Sequence, residues 1–172
     1  MDTVQDGTTE LYTLRHATPA ASDLPNRARP LSELGQQQAR TLGPYLASLG
    51  LTAVYTSPFQ RAVASVEPFC QKAGLTPIVR EDLGESGADE ELPQVRQRLI
   101  GALTSIAQAH PGQRVLACTH GGCLWGTISH FDANFGYQDY RRIGTPDMRR
   151  IVFTAGTPRL DPNFIFAMPT DQ

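Results

Sequence analysis

Four short runs of β-favouring residues alternate with four segments of helical period, and this alternation limits the fold more than any other feature of the chain. Residues 10–15, 53–56, 77–80 and 113–118 read as strands. Residues 36–50 carry Ala39, Leu42, Tyr45, Leu46 and Leu49 at helical spacing, and residues 93–109 carry Val95, Leu99, Ala102, Leu103 and Ile106. Residues 58–72 and 121–128 supply two more helices, the first with Ser57 as an N-cap ahead of Pro58. A strand that is followed by a helix and then by another strand closes most readily as a right-handed crossover between parallel strands. The expectation is therefore an α/β fold, a three-layer α/β/α sandwich around a mainly parallel central sheet. Residues 149–154 and 163–167 also read as strands and are expected to add an antiparallel edge. Residues 10–168 should form a single domain, with residues 1–9 as a loose terminus.

Composition matters here for what it excludes. A formal charge of −2 gives no support to a strongly basic nucleic-acid binder. No apolar run approaches the roughly 18–20 residues of a membrane-spanning helix, so neither nucleic acid nor membrane is an expected partner. Residues 1–9 hold two Asp, no Lys or Arg and no apolar stretch, unlike a secretory signal. Cys70, Cys118 and Cys123 form neither an even disulfide framework nor a CxxC pair, which points to a reducing, cytoplasmic setting. Of 15 basic residues only Lys72 is Lys. Genomic base composition accounts for that bias, so it is no argument for phosphate binding.

Chemistry gathers where strands end. His16 and His120 each follow a strand directly, and Arg61 lies early in the helix after the strand at 53–56. Ligands of open parallel sheets bind beyond the carboxyl ends of the strands, so Arg15, His16, Arg61 and His120 are expected in one crevice. Two guanidiniums and two imidazoles in one pocket suit an anion, and phosphate matches the planar fork of Arg best. Gly121-Gly122 opens a helix and lets backbone N–H groups approach such an anion. A neutral imidazole can attack phosphorus, while a carboxyl group from the acidic stretch 81–91 could protonate the leaving alkoxide. Those two roles predict a bell-shaped pH profile. The arginines beside both histidines argue against a metal, and no nucleotide-binding P-loop motif is present.

Four ordered segments resemble the histidine phosphatase (phosphoglycerate mutase-like) superfamily: Leu14-Arg15-His16-Ala17-Thr18, Pro30-Leu31-Ser32-Glu33-Leu34-Gly35-Gln36-Gln37-Gln38-Ala39, Ser57-Pro58-Phe59-Gln60-Arg61-Ala62 and Thr119-His120-Gly121-Gly122. The resemblance implies that His16 is the phosphorylated nucleophile, that Arg15, Arg61, His120 and Gly121 bind the phosphoryl group, and that Glu85 is the proton donor. Asp82, Glu90 and Glu91 are alternative donors, and Thr18 and Ser57 are additional phosphate contacts. Ala17 stands where the family usually has Gly. Ser22 stands where mutase-type members carry Asn, which favours the phosphatase branch. The activity so implied is hydrolysis of a phosphomonoester, on a small phosphorylated metabolite or a phosphoprotein, with no cofactor. A protein phosphohistidine phosphatase and a non-catalytic phosphate-binding protein are the alternatives.

Taken singly, most of these residues have plainer readings. His110 beside Pro111 reads as a solvated helix end, and His130 as structural. Arg141, Arg142, Arg149 and Arg150 form a basic cluster that could steer phosphorylated substrates, but it reads first as an ordinary solvent face.

Overall fold

The computed structural model describes residues 7–170. Strands β1 (Thr8–Arg15), β2 (Ala53–Thr56), β3 (Ile78–Val79) and β4 (Arg114–Thr119) alternate with helices α1 (Glu33–Ser48), α2 (Gln60–Ala73), α3 (Leu92–Ala109) and α4 (Gly121–Phe131). A short helix α5 (Tyr137–Tyr140) and the strands β5 (Asp147–Thr154) and β6 (Thr157–Leu160) follow. The sheet order is β3-β2-β4-β1-β5-β6, parallel from β3 to β1 and antiparallel at β5 and β6. The mainly parallel sheet with an antiparallel edge is thus the architecture that the strand and helix periods predict.

Alternate residues of each strand serve opposite faces, which builds two cores. Tyr12 and Leu14 of β1, with Val54 and Leu116, pack against Leu42 and Leu46 of α1 and Val66 and Phe69 of α2. Leu11, Val115, Ala117 and Ile151 face the other way, onto Leu99, Leu103 and Ile106 of α3. Fully burying one such Leu contributes about 1.5–3 kcal/mol, and both layers have several. No helix among the described residues is long and apolar enough to cross a membrane.

Several boundaries differ from the sequence expectation. β1 begins at Thr8, so Thr8 and Thr9 are paired with β5 rather than loose, and the Thr9 hydroxyl donates to the His110 carbonyl at 3.0 Å. Residues 1–6 of the expected loose terminus lie outside the described residues. Residues 163–167 form no strand. Phe164 and Phe166 alternate because an extended strap lays them on Tyr12 and Tyr45, with ring centroids 5.6 and 5.7 Å apart. The edge is instead made by β6, hidden from pattern reading by Pro158, which an edge strand tolerates. Ser57 is not the cap of α2, whose N-cap is Phe59. His110 is not merely solvated, since its Nε2 lies 2.8 Å from the Tyr55 hydroxyl.

One glycine of the second motif has a steric reason. A Cβ at Gly35 would lie 2.0 Å from the Thr18 carbonyl oxygen, which is backbone and cannot swing aside. Gly35→Ala is therefore expected to destabilise the protein by about 3 kcal/mol, in the range of core overpacking. For a chain of this size that lowers Tm by on the order of 5–10 °C, measurable by thermal denaturation.

Candidate active site

Register brings the two histidines together. Arg15 is the partner of Thr119 in the parallel β1–β4 ladder, so the next residues, His16 and His120, leave the sheet side by side. Their ring centroids are 5.1 Å apart with planes at 65°. Thr56 pairs with Cys118 one strand further on, which places Ser57 beside the same exit. The residues that the sequence assigned to one crevice are in one crevice.

Each ring nitrogen of His16 has a distinct environment. Nδ1 lies 2.7 Å from the Ala17 carbonyl oxygen, which can only accept, so Nδ1 carries the proton and Nε2 keeps its lone pair. Arg61 Nε donates to that Nε2 at 3.2 Å. Burial pushes the His16 imidazole down to about 4; the Ala17 carbonyl opposes this, and Arg61, Arg15 and Arg29 reinforce it. His120 is depressed further, by burial first and then by His16, Arg61, Arg15 and Arg98. Both rings are therefore neutral at pH 7.

Ser57 Oγ accepts the Phe59 N–H at 3.2 Å and lies 2.8 Å from His120 Nε2. Among the described residues His120 Nε2 is the acceptor within reach of the Ser57 O–H, so the hydroxyl donates to it, which puts the His120 proton on Nδ1. That nitrogen is buried without a hydrogen-bond partner among the described residues, 3.4 Å from Glu85 Oε2. Phe59 packs edge-on against the His120 ring at 4.8 Å and carries the Arg61 guanidinium at 5.0 Å from its own ring.

Arg15 Nη1 donates to the carbonyls of Ile143 and Gly144 at 2.6 and 3.3 Å, which aims the guanidinium, while its buried Nε has no hydrogen-bond partner among the described residues. Gly121 makes this possible. A Cβ there would stand 2.8 Å from Arg15 Cζ, so the glycine admits a guanidinium as well as freeing the start of α4. Arg61 is 2% exposed and is held by the Asn26 carbonyl at 2.7 Å and by Glu85 Oε2 at 3.1 Å.

The acidic stretch sorts itself by its partners. Asp82 is held by Arg80 at 2.9 and 2.6 Å, Glu90 by Arg98 through two contacts of 2.7 Å, and Glu91 serves as N-cap of α3 in a capping box. Only Glu85 among these four reaches Arg61 and His120. The Thr18 hydroxyl lies 3.0 Å from Thr145 Oγ1, which ties residue 18 to the segment ahead of β5. The Arg cluster is divided: Arg149 pairs with Asp147 and Arg150 with Asp161.

Pattern reading missed Arg29, whose charge reaches His16 and Arg61, and Ser65, which accepts the Ala17 N–H at 2.8 Å and donates to the Arg61 carbonyl at 2.6 Å. Arg29 sits in a Pro-rich loop with no period, where only the motif residue Pro30 beside it gave a signal. Ser65, one turn beyond Arg61, is the residue that helical spacing could have found.

The neutral histidines make stability depend on pH. In the unfolded chain an imidazole takes a proton below about pH 6.5, whereas folded His16 resists until about 4. Stability is then complete above pH 6.5 and lost as pH falls toward 4, where His16 alone accounts for about 3 kcal/mol. Urea denaturation at pH 7, 5.5 and 4 should show this decline, and His16→Asn should make it shallower.

The chain matches the profile of the histidine phosphatase superfamily (branch 1) over residues 11–90 and 86–161. It is 25% identical over 122 residues to the uncharacterized phosphatase PhoE of Bacillus subtilis, and 31% identical over 135 residues to the probable phosphoglycerate mutase GpmB of Cronobacter sakazakii. Each alignment covers 58% of this chain, and the chain spans 63% of the length of either relative. Phosphoserine phosphatase of Entamoeba histolytica, solved with 3-phosphoglyceric acid, superimposes with a TM-score of 0.76 at 13% identity, covering 92% of this chain and 98% of that one. The profile takes in both histidine exits, the helices between them and the antiparallel edge: the chain belongs to the histidine phosphatase superfamily, branch 1.

Proposed function

We propose that the protein is a phosphatase that hydrolyses phosphomonoesters through a phosphohistidine at His16. The observation that carries this is the environment of His16, whose Nδ1 faces the Ala17 carbonyl and leaves the Nε2 lone pair toward Arg61, with the Arg15 charge also acting on the ring. Nε2 attacks phosphorus, the P–O bond to the alcohol breaks, and the protonated Glu85 carboxyl gives its proton to the leaving oxygen. As the ring becomes cationic, the Nδ1–H bond to Ala17 strengthens. Arg15, Arg61 and His120 Nδ1–H stabilise the equatorial oxygens of the transferring group. Glu85, now ionised, takes a proton from water; the hydroxide oxygen attacks phosphorus, the P–N bond breaks and inorganic phosphate leaves.

A phosphorylated metabolite is the substrate class we favour, supported by the name of one relative, a probable phosphoglycerate mutase. Rapid quenching with 32P-labelled substrate tests the route. The expected result is an acid-labile, alkali-stable label on the wild-type chain, stoichiometric with active sites, and release of inorganic phosphate. Isomerised substrate in place of free phosphate would indicate a mutase. A stable label without turnover would indicate a phosphate-binding protein.

The pH dependence follows from the same groups. The acid limb of kcat/KM should fall only as pH approaches 4, where His16 of the free enzyme takes up a proton. The acid limb of kcat should lie at higher pH, because bound phosphate dianion favours the imidazolium. A pH–rate series on p-nitrophenyl phosphate reads both limbs.

A further inference from the structure

Glu85 sits in the loop between the 3-10 turn at residues 81–83 and α3, a place where a side chain would ordinarily wander. It does not wander because the loop is fastened on both sides. Arg98, one and a half turns into α3, donates from Nη1 to the carbonyls of Asp82 and Gly84 at 2.8 and 3.0 Å. The other edge of the same guanidinium grips Glu90, Nε to Oε1 and Nη2 to Oε2, both at 2.7 Å. One planar group therefore closes the chain from Gly84 to Glu90, with Glu85 immediately inside the closure.

Further bonds steady the loop, and Arg61 holds the Glu85 carboxylate itself at 3.1 Å. The Thr119 hydroxyl donates to the Leu83 carbonyl at 2.6 Å, and the Cys123 thiol to the Gly84 carbonyl at 3.1 Å. Glu90 Oε2 also accepts the Gly87 N–H at 3.2 Å, so the carboxylate held by Arg98 in turn shapes the middle of the loop. The side chains of Arg98 and Glu90 are 24% and 20% exposed, which spares this pair much of the screening of a surface contact.

We propose that Arg98 is a positioning residue for proton transfer: its forked grip on Gly84 and Glu90 sets the place of the Glu85 carboxyl relative to the leaving oxygen. This rests on the reading of Glu85 as the proton donor. Arg98 donates to Glu90, Asp82 and Gly84 rather than to His16, His120 or Arg61, and only its charge reaches His120, so its loss should be felt most where protonation is needed. A misplacement of about 1 Å in a reacting group costs up to about 100-fold in rate.

The test compares Arg98→Ala, Arg98→Lys and Glu90→Gln with Glu85→Gln on aryl and alkyl phosphates spanning a range of leaving-group pKa. For Arg98→Ala the rate on alkyl phosphates should fall on the order of 10–100-fold, with a steeper dependence on leaving-group pKa and a near-normal p-nitrophenol burst. Arg98→Lys keeps the charge but not the fork, and should behave like the Ala variant rather than the wild type. Glu90→Gln should shift the dependence the same way by less, and it keeps the test usable if Arg98→Ala does not fold. In the Glu85→Gln background, Arg98→Ala should add almost nothing. Equal losses on all leaving groups, a wild-type Arg98→Lys, or a full additional loss in the Glu85→Gln background would each overturn the proposal. If Glu85→Gln itself showed no leaving-group dependence, the proton-donor reading would fall first and the proposal with it.

Discussion

His16→Ala should lower kcat on any phosphomonoester by on the order of 10⁴-fold or more, because in the proposed mechanism it removes the atom that bonds to phosphorus rather than a contact that helps it. The change deletes a ring that is 4% exposed and hydrogen-bonded to Ala17 and Arg61, so some stability is lost as well. A thermal melt separates the two effects: a folded variant with no burst and no label is the expected result. Phosphate binding should largely survive, since Arg15 and Arg61 each have anchors besides His16, the carbonyls of Ile143 and Asn26. Turnover on p-nitrophenyl phosphate within tenfold of wild type would end the proposed mechanism.

The second large effect concerns Glu85→Gln, which keeps the volume and removes the transferable proton. On alkyl phosphates, whose leaving oxygen must be protonated, kcat should fall about 10²–10⁴-fold, the usual contribution of general acid catalysis. On p-nitrophenyl phosphate the first step needs no such help, so the burst of p-nitrophenol should persist while the phosphoenzyme accumulates. A uniform loss across substrates would mean that Glu85 acts through its contacts with Arg61 and His120 alone. Stopped-flow traces on the two substrate types decide between these outcomes.

Much of this site was legible before any coordinates because strand exits are local features. Arg15-His16 and Thr119-His120 each end a β-favouring run, and parallel strands must present such ends to one edge, so their meeting could be argued from sequence. Glu85 was harder. Six carboxylates share residues 81–91, and nothing in their spacing says which are occupied by arginines from elsewhere in the chain. In the folded chain Arg27, Arg80 and Arg98 hold Glu81, Asp82 and Glu90, and Glu91 serves in the capping box of α3. Thr18 could not have been assigned from sequence, since its partner Thr145 is 127 residues away. The C-terminal strap misled for another reason. Phe164 and Phe166 alternate like strand residues, but packing against Tyr12 and Tyr45 imposes the same period as a β ladder.

The pairing of Arg15 with Thr119 has a consequence for how such a protein could diversify. The gap between the two imidazoles is inherited from the backbone repeat across neighbouring strands, about 4.8 Å, and so it does not depend on the conformation of any loop. Changes of length at residues 19–25 and 132–141 could admit new alcohols while the imidazole spacing held, provided the carbonyls of Asn26 and Ile143 still met Arg61 and Arg15. A single-residue deletion inside β1 would be another matter: it would turn one imidazole toward the opposite helical layer and leave its twin without a counterpart.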